Sequence, residues 1–498
     1  MNVKRTDLKE WIKSRIRPDD IEKYMPAGKN FIDTGLIEAA LERNKNPEKQ
    51  RIRDIMAKSM AIETLTLDET AALLHVKDGD LMEEMRETAL KVKIKVYDNR
   101  IVTFAPLYLG NKCVNNCFYC GFRSENASAK RRVLTRDEIR KEVEVLAGTI
   151  GHKRLIAVYG EHPESGIDYM VDSLKTIYDV RVKTRQGFGQ IRRVNVNAAP
   201  MPVEELVKLR EAGIGTYQVF QETYHQETYR KLHPRNTVKG DYNWRLYTMH
   251  RAFEAGIDDV GIGVLFGLYN WRFEIVALVA HALELEKRFG IGPHTVSFPR
   301  LEPADGVLFS AHSPYAVRDN DFKHLMVAVR LSIPYTGMII TARESAEMRR
   351  NAFLYGCTQT DASSCIGIGG YAEGLPAQEG NRQQFILGDT RSLDEVIREY
   401  AHMGYITSFC TAGYRCGRTG ECIMNLLKSG QEGMFCKLNA VLTFREWLDD
   451  FASPETKEAG ERVIEKELNE IQKKHPDLYA PLIKKYEEIK KGERDLYF

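Results

Sequence analysis

Cys113-Val-Asn-Asn-Cys117-Phe-Tyr-Cys120-Gly-Phe-Arg123 stands just after an apolar run, residues 102–109, that reads as a β-strand. The C-x3-C-x2-C spacing puts three thiols on one short loop past a strand end. Cysteine thiolates hold iron–sulfur clusters, and three of them on a four-iron cubane leave one iron open to a small molecule. Zinc and a disulfide compete with this reading. A structural zinc site takes four protein ligands, and no second cysteine pair lies nearby. The chain has nine cysteines, an odd count, and Met1 to Arg17 is charged without an apolar signal segment. Clustered thiols in that setting point to metal rather than disulfides.

Working outward, the unit of apolar run, polar loop and amphipathic helix repeats. Strands are expected at 102–109, 155–159, 193–196, 216–220, 259–266, 294–298, 337–341 and near 357–360, with helices between them at 202–212, 244–255, 273–289 and 321–332. Alternating strand and helix predicts an α/β fold with a parallel sheet, and this many units predict a (β/α)8 barrel of the TIM type. Active sites of such barrels lie at the C-terminal strand ends. Cys113 follows the first expected strand, Glu161 the second, Asn197 the third and Glu222 the fourth.

The remainder of the 498 residues flanks the barrel. Residues 1–95 read as an N-terminal helical extension, a solvated cover with a capping box at Thr66–Glu69. The barrel spans 96–375. Residues 376–498 read as a C-terminal helical domain that holds Cys410, Cys416, Cys422 and Cys436. Its first helix opens with a capping signal at Ser392. Lys and Arg number 72 against 70 Asp and Glu, so no general attraction to nucleic acid or anionic membrane is expected. No apolar run reaches spanning length, and the expectation is a soluble, cytoplasmic protein.

The cysteine loop, followed one strand later by Val158-Tyr-Gly160-Glu161, resembles the radical S-adenosylmethionine (SAM) enzymes. The resemblance implies a [4Fe–4S] cluster on Cys113, Cys117 and Cys120, with the amino and carboxylate groups of SAM on the open iron. Gly160 and Glu161 would then receive the methionyl ammonium and Tyr119 would lie near the adenine. Asn197 is a further cofactor-side candidate. Gly261 and Gly263 permit close backbone approach to the adenine, or are packing glycines. Glu222 binds the ribose, or pairs with Arg230 on its own helix. His162 and His225 read as hydrogen-bonded loop histidines.

Longer blocks narrow the resemblance. They include Gly213-Ile-Gly-Thr-Tyr-Gln-Val-Phe-Gln-Glu-Thr-Tyr-His, Lys231-Leu-His-Pro, Pro299-Arg-Leu-Glu-Pro, Arg343-Glu-Ser-Ala-Glu-Met-Arg-Arg and Ser408-Phe-Cys-Thr-Ala. Across residues 107–444 the chain resembles the tyrosine lyases of [FeFe]-hydrogenase maturation, the HydG family, and more distantly ThiH. That implies cleavage of the Cα–Cβ bond of L-tyrosine to p-cresol and dehydroglycine by a SAM-derived radical, with ferredoxin or flavodoxin as reductant. Arg343, one residue past a strand end, is the candidate fork for the substrate carboxylate; a structural ion pair is the competing reading. Tyr108 is a candidate substrate contact or a barrel-lining tyrosine. A paralogue acting on another aromatic amino acid such as tryptophan, and a non-catalytic iron–sulfur carrier, are the alternatives.

The family's second cluster uses a C-x2-C-x22-C pattern to form CO and cyanide. Cys410 and Cys436 match its first and third positions, whereas the middle position is Gly413, which has no side chain to bind metal. His281 matches the family's extra iron ligand, or is a core histidine. Cys416 and Cys422 replace the lost thiolate, or are buried apolar thiols.

Overall fold

The computed structural model describes residues 5–309, 312–374, 378–429 and 432–498. Its strands are β1 (Arg100–Gly110), β2 (Arg154–Tyr159), β3 (Arg181–Lys183), β4 (Phe188–Gln190), β5 (Arg193–Asn197), β6 (Tyr217–Gln218), β7 (Val260–Gly263), β8 (Thr295–Ser297), β9 (Gly337–Ile340), β10 (Gln359–Asp361) and β11 (Ile406–Ser408). Eight of them, β1-β2-β5-β6-β7-β8-β9-β10, pair in parallel, and β10 returns to β1 to close the barrel. All eight expected strands are therefore present.

One of them, β6, is much shorter than the expected 216–220, for a reason that shapes the site. β6 holds only Tyr217–Gln218. The ladder beyond it continues irregularly, through Val219 N to Gly261 O at 3.2 Å and Gln221 N to Gly263 O at 3.1 Å. It ends at Glu222, a non-glycine residue at φ 70°. That left-handed conformation is uncommon for a side-chain-bearing residue, and here it turns the chain at the barrel rim. The expected helix 244–255 is two helices, Tyr242–Leu246 and Thr248–Glu254. Arg251 donates to the Trp244 carbonyl at 2.6 Å and the Thr248 hydroxyl to the Arg245 carbonyl at 2.7 Å, and Tyr247, at φ −87° and ψ 16°, is the joint between the two helices.

The N-terminal helices are more than a solvated cover. Ile37, Ile52, Met85 and Val92 are buried in the same apolar core as the barrel. The segment is bonded to the barrel layer through Leu65 N to Ser332 O at 3.0 Å and Tyr97 OH to Tyr335 O at 2.7 Å. The capping box of Thr66 and Glu69 forms, as does one of Ser392 and Glu395. Past residue 376, β11 adds to the start of β1, with Arg100 opposite Ile406. The C-terminal segment is thus knitted into the barrel sheet. Three-residue strands such as β3, β4 and β11 carry too little periodicity to be read from sequence. Among the described residues, no helix is long and apolar enough to cross a membrane.

Candidate active site

The residues expected to carry chemistry meet at the C-terminal strand ends around one cavity of about 240 Å³. Its wall includes Cys113, Cys117, Cys120, Tyr108, Tyr119, Gly160, Glu161, Asn197, Glu222 and Arg343.

The cysteine loop is held from three sides. Val114 N donates to Glu161 O at 2.8 Å, Phe118 N to Leu232 O at 3.2 Å and Gly121 N to Gln384 O at 3.2 Å. Burial pushes the Cys113 thiol up to about 11 and the Cys117 thiol up to about 12, so both stay protonated until a metal displaces the proton. Among the described residues, no three Cys, His, Asp or Glu side chains close into a ready-made metal cage, this loop included. The donor chemistry nonetheless suits a cubane cluster: three thiols on one wall, with Cys117 in the electrostatic field of the other two.

Beside the loop, Glu161 is 9% exposed. Its Oε2 accepts from Asn115 Nδ2 at 2.5 Å, while Oε1 is buried without a partner. Burial pushes this carboxyl up, against the Asn115 hydrogen bond. A buried carboxylate oxygen left open toward a cavity suits a cationic amino group. Gly160 is required by space, since a Cβ there would lie 2.3 Å from Lys112 O.

Glu222 does not pair with Arg230, which reaches Gln226 instead. It accepts from Lys239 Nζ at 2.7 Å and Arg245 at 3.3 Å. Burial acts to raise its carboxyl, but those two cations outweigh it and hold the group below its ordinary value. Tyr119 OH lies 2.7 Å from His233 Nε2. Gly261 and Gly263 do not line the cavity. A Cβ on the first would meet Thr295 Oγ1 at 2.6 Å, and one on the second Ser297 O at 2.5 Å, so these are packing glycines of the barrel wall.

On the far side, Arg343 is half-buried, and desolvation pulls its guanidinium down. Among the described residues no carboxylate pairs with it, and its neighbour Glu344 is taken by Arg300, whose Nε lies at 2.9 Å. Its guanidinium carbon sits 3.3 Å from the Phe385 ring centre. Tyr108 OH donates to Gln384 Oε1 at 3.1 Å. Phe104, Ile156 and Ile339, with Val158, pack together as an apolar floor inside the barrel.

Several wall residues carry no short sequence signal: Lys239, Arg245, Asp361, Gln384 and Phe385. They are brought in by strand order alone. Gln384 and Phe385 lie beyond the last barrel strand, more than 260 positions after Cys120.

The second group of cysteines is elsewhere. Cys410 is at φ 48°, and Arg193 donates to its carbonyl at 3.0 Å and to its Sγ at 3.5 Å. Arg193 begins β5, so this segment lies at the opposite end of the barrel from the cavity. Cys416 is exposed, with its Sγ 3.4 Å from Phe498 O; Cys422 is exposed and Cys436 buried. His281 is not gathered with them. Its Nδ1 meets Tyr224 OH at 2.8 Å and its ring stands 5.1 Å from Phe31. A different histidine, His294, stands in the field of Asp258, which accepts from Thr419 Oγ1 of the cysteine segment at 3.0 Å.

Residues 107–279 match the Radical SAM superfamily, and residues 297–406 the Biotin and Thiamin Synthesis associated domain. A crystal structure of HydG, a maturase of the [FeFe]-hydrogenase, superposes with a TM-score of 0.89 at 46% identity, covering 94% of this chain and 100% of that one. HydG from Carboxydothermus hydrogenoformans superposes with a TM-score of 0.77 at 36% identity, over 92% and 98% of the two chains. The 2-iminoacetate synthase of Salmonella typhimurium is 32% identical over 68% of this chain and 85% of its own length. With its thiols, open carboxylate and unpaired arginine on one barrel rim, the chain belongs to the radical SAM enzymes of the HydG and 2-iminoacetate synthase family.

Proposed function

We propose that the chain is a lyase that cleaves the Cα–Cβ bond of L-tyrosine, releasing p-cresol and dehydroglycine. The observation that carries this reading is Arg343. It is a half-buried guanidinium with no ion pair among the described residues, with the Glu302 and Glu222 carboxylates in its wider field, and it faces the cavity that the three loop thiols line. A partly desolvated charge at a cavity wall favours an opposite charge beside it, and an amino-acid carboxylate supplies it as a two-point contact with the planar fork. The apolar floor of Phe104, Ile156 and Ile339 then receives the aromatic side chain.

Cys113, Cys117 and Cys120 would hold the [4Fe–4S] cluster, which together with SAM supplies the hydrogen-abstracting radical. Glu161 Oε1 takes the methionyl ammonium, and Asn197 lines the same side of the cavity. Glu222, oriented by Lys239 and Arg245, offers its remaining acceptor capacity to a ribose hydroxyl. A low-potential one-electron donor such as ferredoxin or flavodoxin is the expected reductant.

The C-terminal donor set does not fit a second cluster. Cys410 and Cys436 stand in pattern, Gly413 offers no ligand, and Cys416 is turned to the Phe498 carbonyl. The proposed products accordingly end at dehydroglycine, with little CO or cyanide. Anaerobic incubation with dithionite, SAM and either tyrosine or tryptophan, followed by mass analysis, tests the assignment. Deoxyadenosine with matching p-cresol from tyrosine is expected. Deoxyadenosine with cleavage of tryptophan alone would transfer the assignment to the paralogue reading, and no deoxyadenosine with either would favour an iron–sulfur carrier.

A further inference from the structure

After the last barrel strand the chain returns over the cavity as an irregular strap, residues 383–388, and two successive side chains on it touch the two halves of the site. Gln384 Nε2 donates to Cys120 Sγ at 3.4 Å, while its Oε1 accepts from Tyr108. Phe385 lies under the Arg343 guanidinium. The strap backbone is pinned along its length. Its Gln384 carbonyl accepts from Gly121 N at 3.2 Å, Ile386 N donates to Pro303 O at 2.9 Å, and Gly388 N donates to Ala342 O at 2.8 Å. Both glycine contacts leave no room for a side chain. A Cβ on Gly121 would come within 2.7 Å of Gln384 O, and one on Gly388 within 2.4 Å of Arg343 O. The strap is therefore wedged between the cysteine loop and the end of β9.

We infer that this strap is a positioning element for the reaction: Phe385 sets the plane of the Arg343 fork, and Gln384 ties that setting to the cysteine loop. The inference rests on the reading of Arg343 as the carboxylate clamp. An arginine with no ion pair has several rotamers open to it, and a ring face beneath the guanidinium removes most of them while leaving the N–H edge free. Radical abstraction needs that restriction, because a reacting hydrogen displaced by about 1 Å loses rate steeply. SAM cleaved over a misplaced substrate is spent without product. The Gln384 amide donates to a ligand sulfur, and such hydrogen bonds tune a cluster's reduction potential.

Three reconstituted variants test the strap with Arg343→Lys beside them. Phe385→Leu keeps the apolar volume and removes the ring face. It is expected to raise the apparent Kd for tyrosine roughly three- to thirtyfold and to lower p-cresol formed per deoxyadenosine. Phe385→Tyr restores the ring and should return both quantities to wild type. Gln384→Met should shift the cluster midpoint potential, read by electron paramagnetic resonance, at unchanged iron content. Wild-type Kd and product ratio in Phe385→Leu, with weakened binding in Arg343→Lys, would overturn the strap's role and leave the clamp standing. Unchanged tyrosine binding in Arg343→Lys would overturn the clamp itself. An unmoved potential in Gln384→Met would overturn the tie to the cysteine loop.

Discussion

The two cysteine regions of this molecule differ in how their thiols are held and in Gly413, the pattern position that the C-terminal region leaves without a thiol. The loop at the barrel rim has three cysteines, whereas the C-terminal segment has four. The rim loop is held by backbone bonds to Glu161, Leu232 and Gln384, from three separate parts of the chain, so its thiols share one wall. The other segment scatters its thiols. Cys410 is engaged by Arg193, Cys416 and Cys422 are exposed, and Cys436 is buried on the helix Glu432–Asp450. Ligand loops work when surrounding bonds orient each donor.

The sharpest way to break this contrast is to remove a rim thiol. Cys117→Ala should lose the cluster and abolish deoxyadenosine formation; wild-type SAM cleavage in that variant would end the assignment. The converse is to complete the lower set. The space beside Gly413 is open, since a Cβ there would have its nearest neighbour at 3.7 Å. Gly413→Cys should therefore fold normally, and the expected outcome is a rise from one [4Fe–4S] cluster per chain to two by iron and sulfide analysis. Iron content fixed at the wild-type level would show that a third thiol is not what the lower region lacks.

A smaller effect is expected at the clamp. Arg343→Lys exchanges a planar fork for a point charge, and losing about 1.5–3 kcal/mol of charge-assisted contact raises the tyrosine Kd roughly ten- to hundredfold. Isothermal titration with tyrosine in the presence of SAM checks it.

A further prediction concerns stability near the rim. Burial pushes the Glu274 carboxyl up to about 7 from a model-peptide value of 4.5, against hydrogen bonds from Thr223 and Tyr224. The folded state thus binds the extra proton, so this contribution is fully present below pH 4.5 and is lost as pH rises to about 7. The slope is at most about 1.4 kcal/mol per pH unit. Urea midpoints of wild type should fall across that window more than those of Glu274→Gln; parallel curves would contradict it.

Much of this was legible in the sequence because the signals are local. The three-cysteine loop, Gly160-Glu161 and the strand-helix rhythm each occupy a short window, and all eight barrel strands were expected from them. What was not legible depends on distance along the chain. Glu222 was read against Arg230, a neighbour expected on its own helix, whereas the fold gives it Lys239 and Arg245. Gly261 and Gly263 were candidates for approach to a nucleoside, and only the facing side chains of Thr295 and Phe220 reveal them as packing. Gln384 and Phe385 sit in a polar stretch without periodicity, and nothing short of the closed barrel brings them to Cys120 and Arg343. His281 matched a pattern position yet packs with Tyr224 and Phe31, because helix register decides which histidine faces which neighbour.

The contrast between a formed rim site and an incomplete lower one is tested most directly by counting clusters in the wild-type chain. Anaerobic reconstitution followed by iron and sulfide analysis and Mössbauer spectroscopy should give one [4Fe–4S] cluster per chain, whose spectrum changes when SAM is added. Two clusters per chain, with the second lost in Cys416→Ala, would contradict the account.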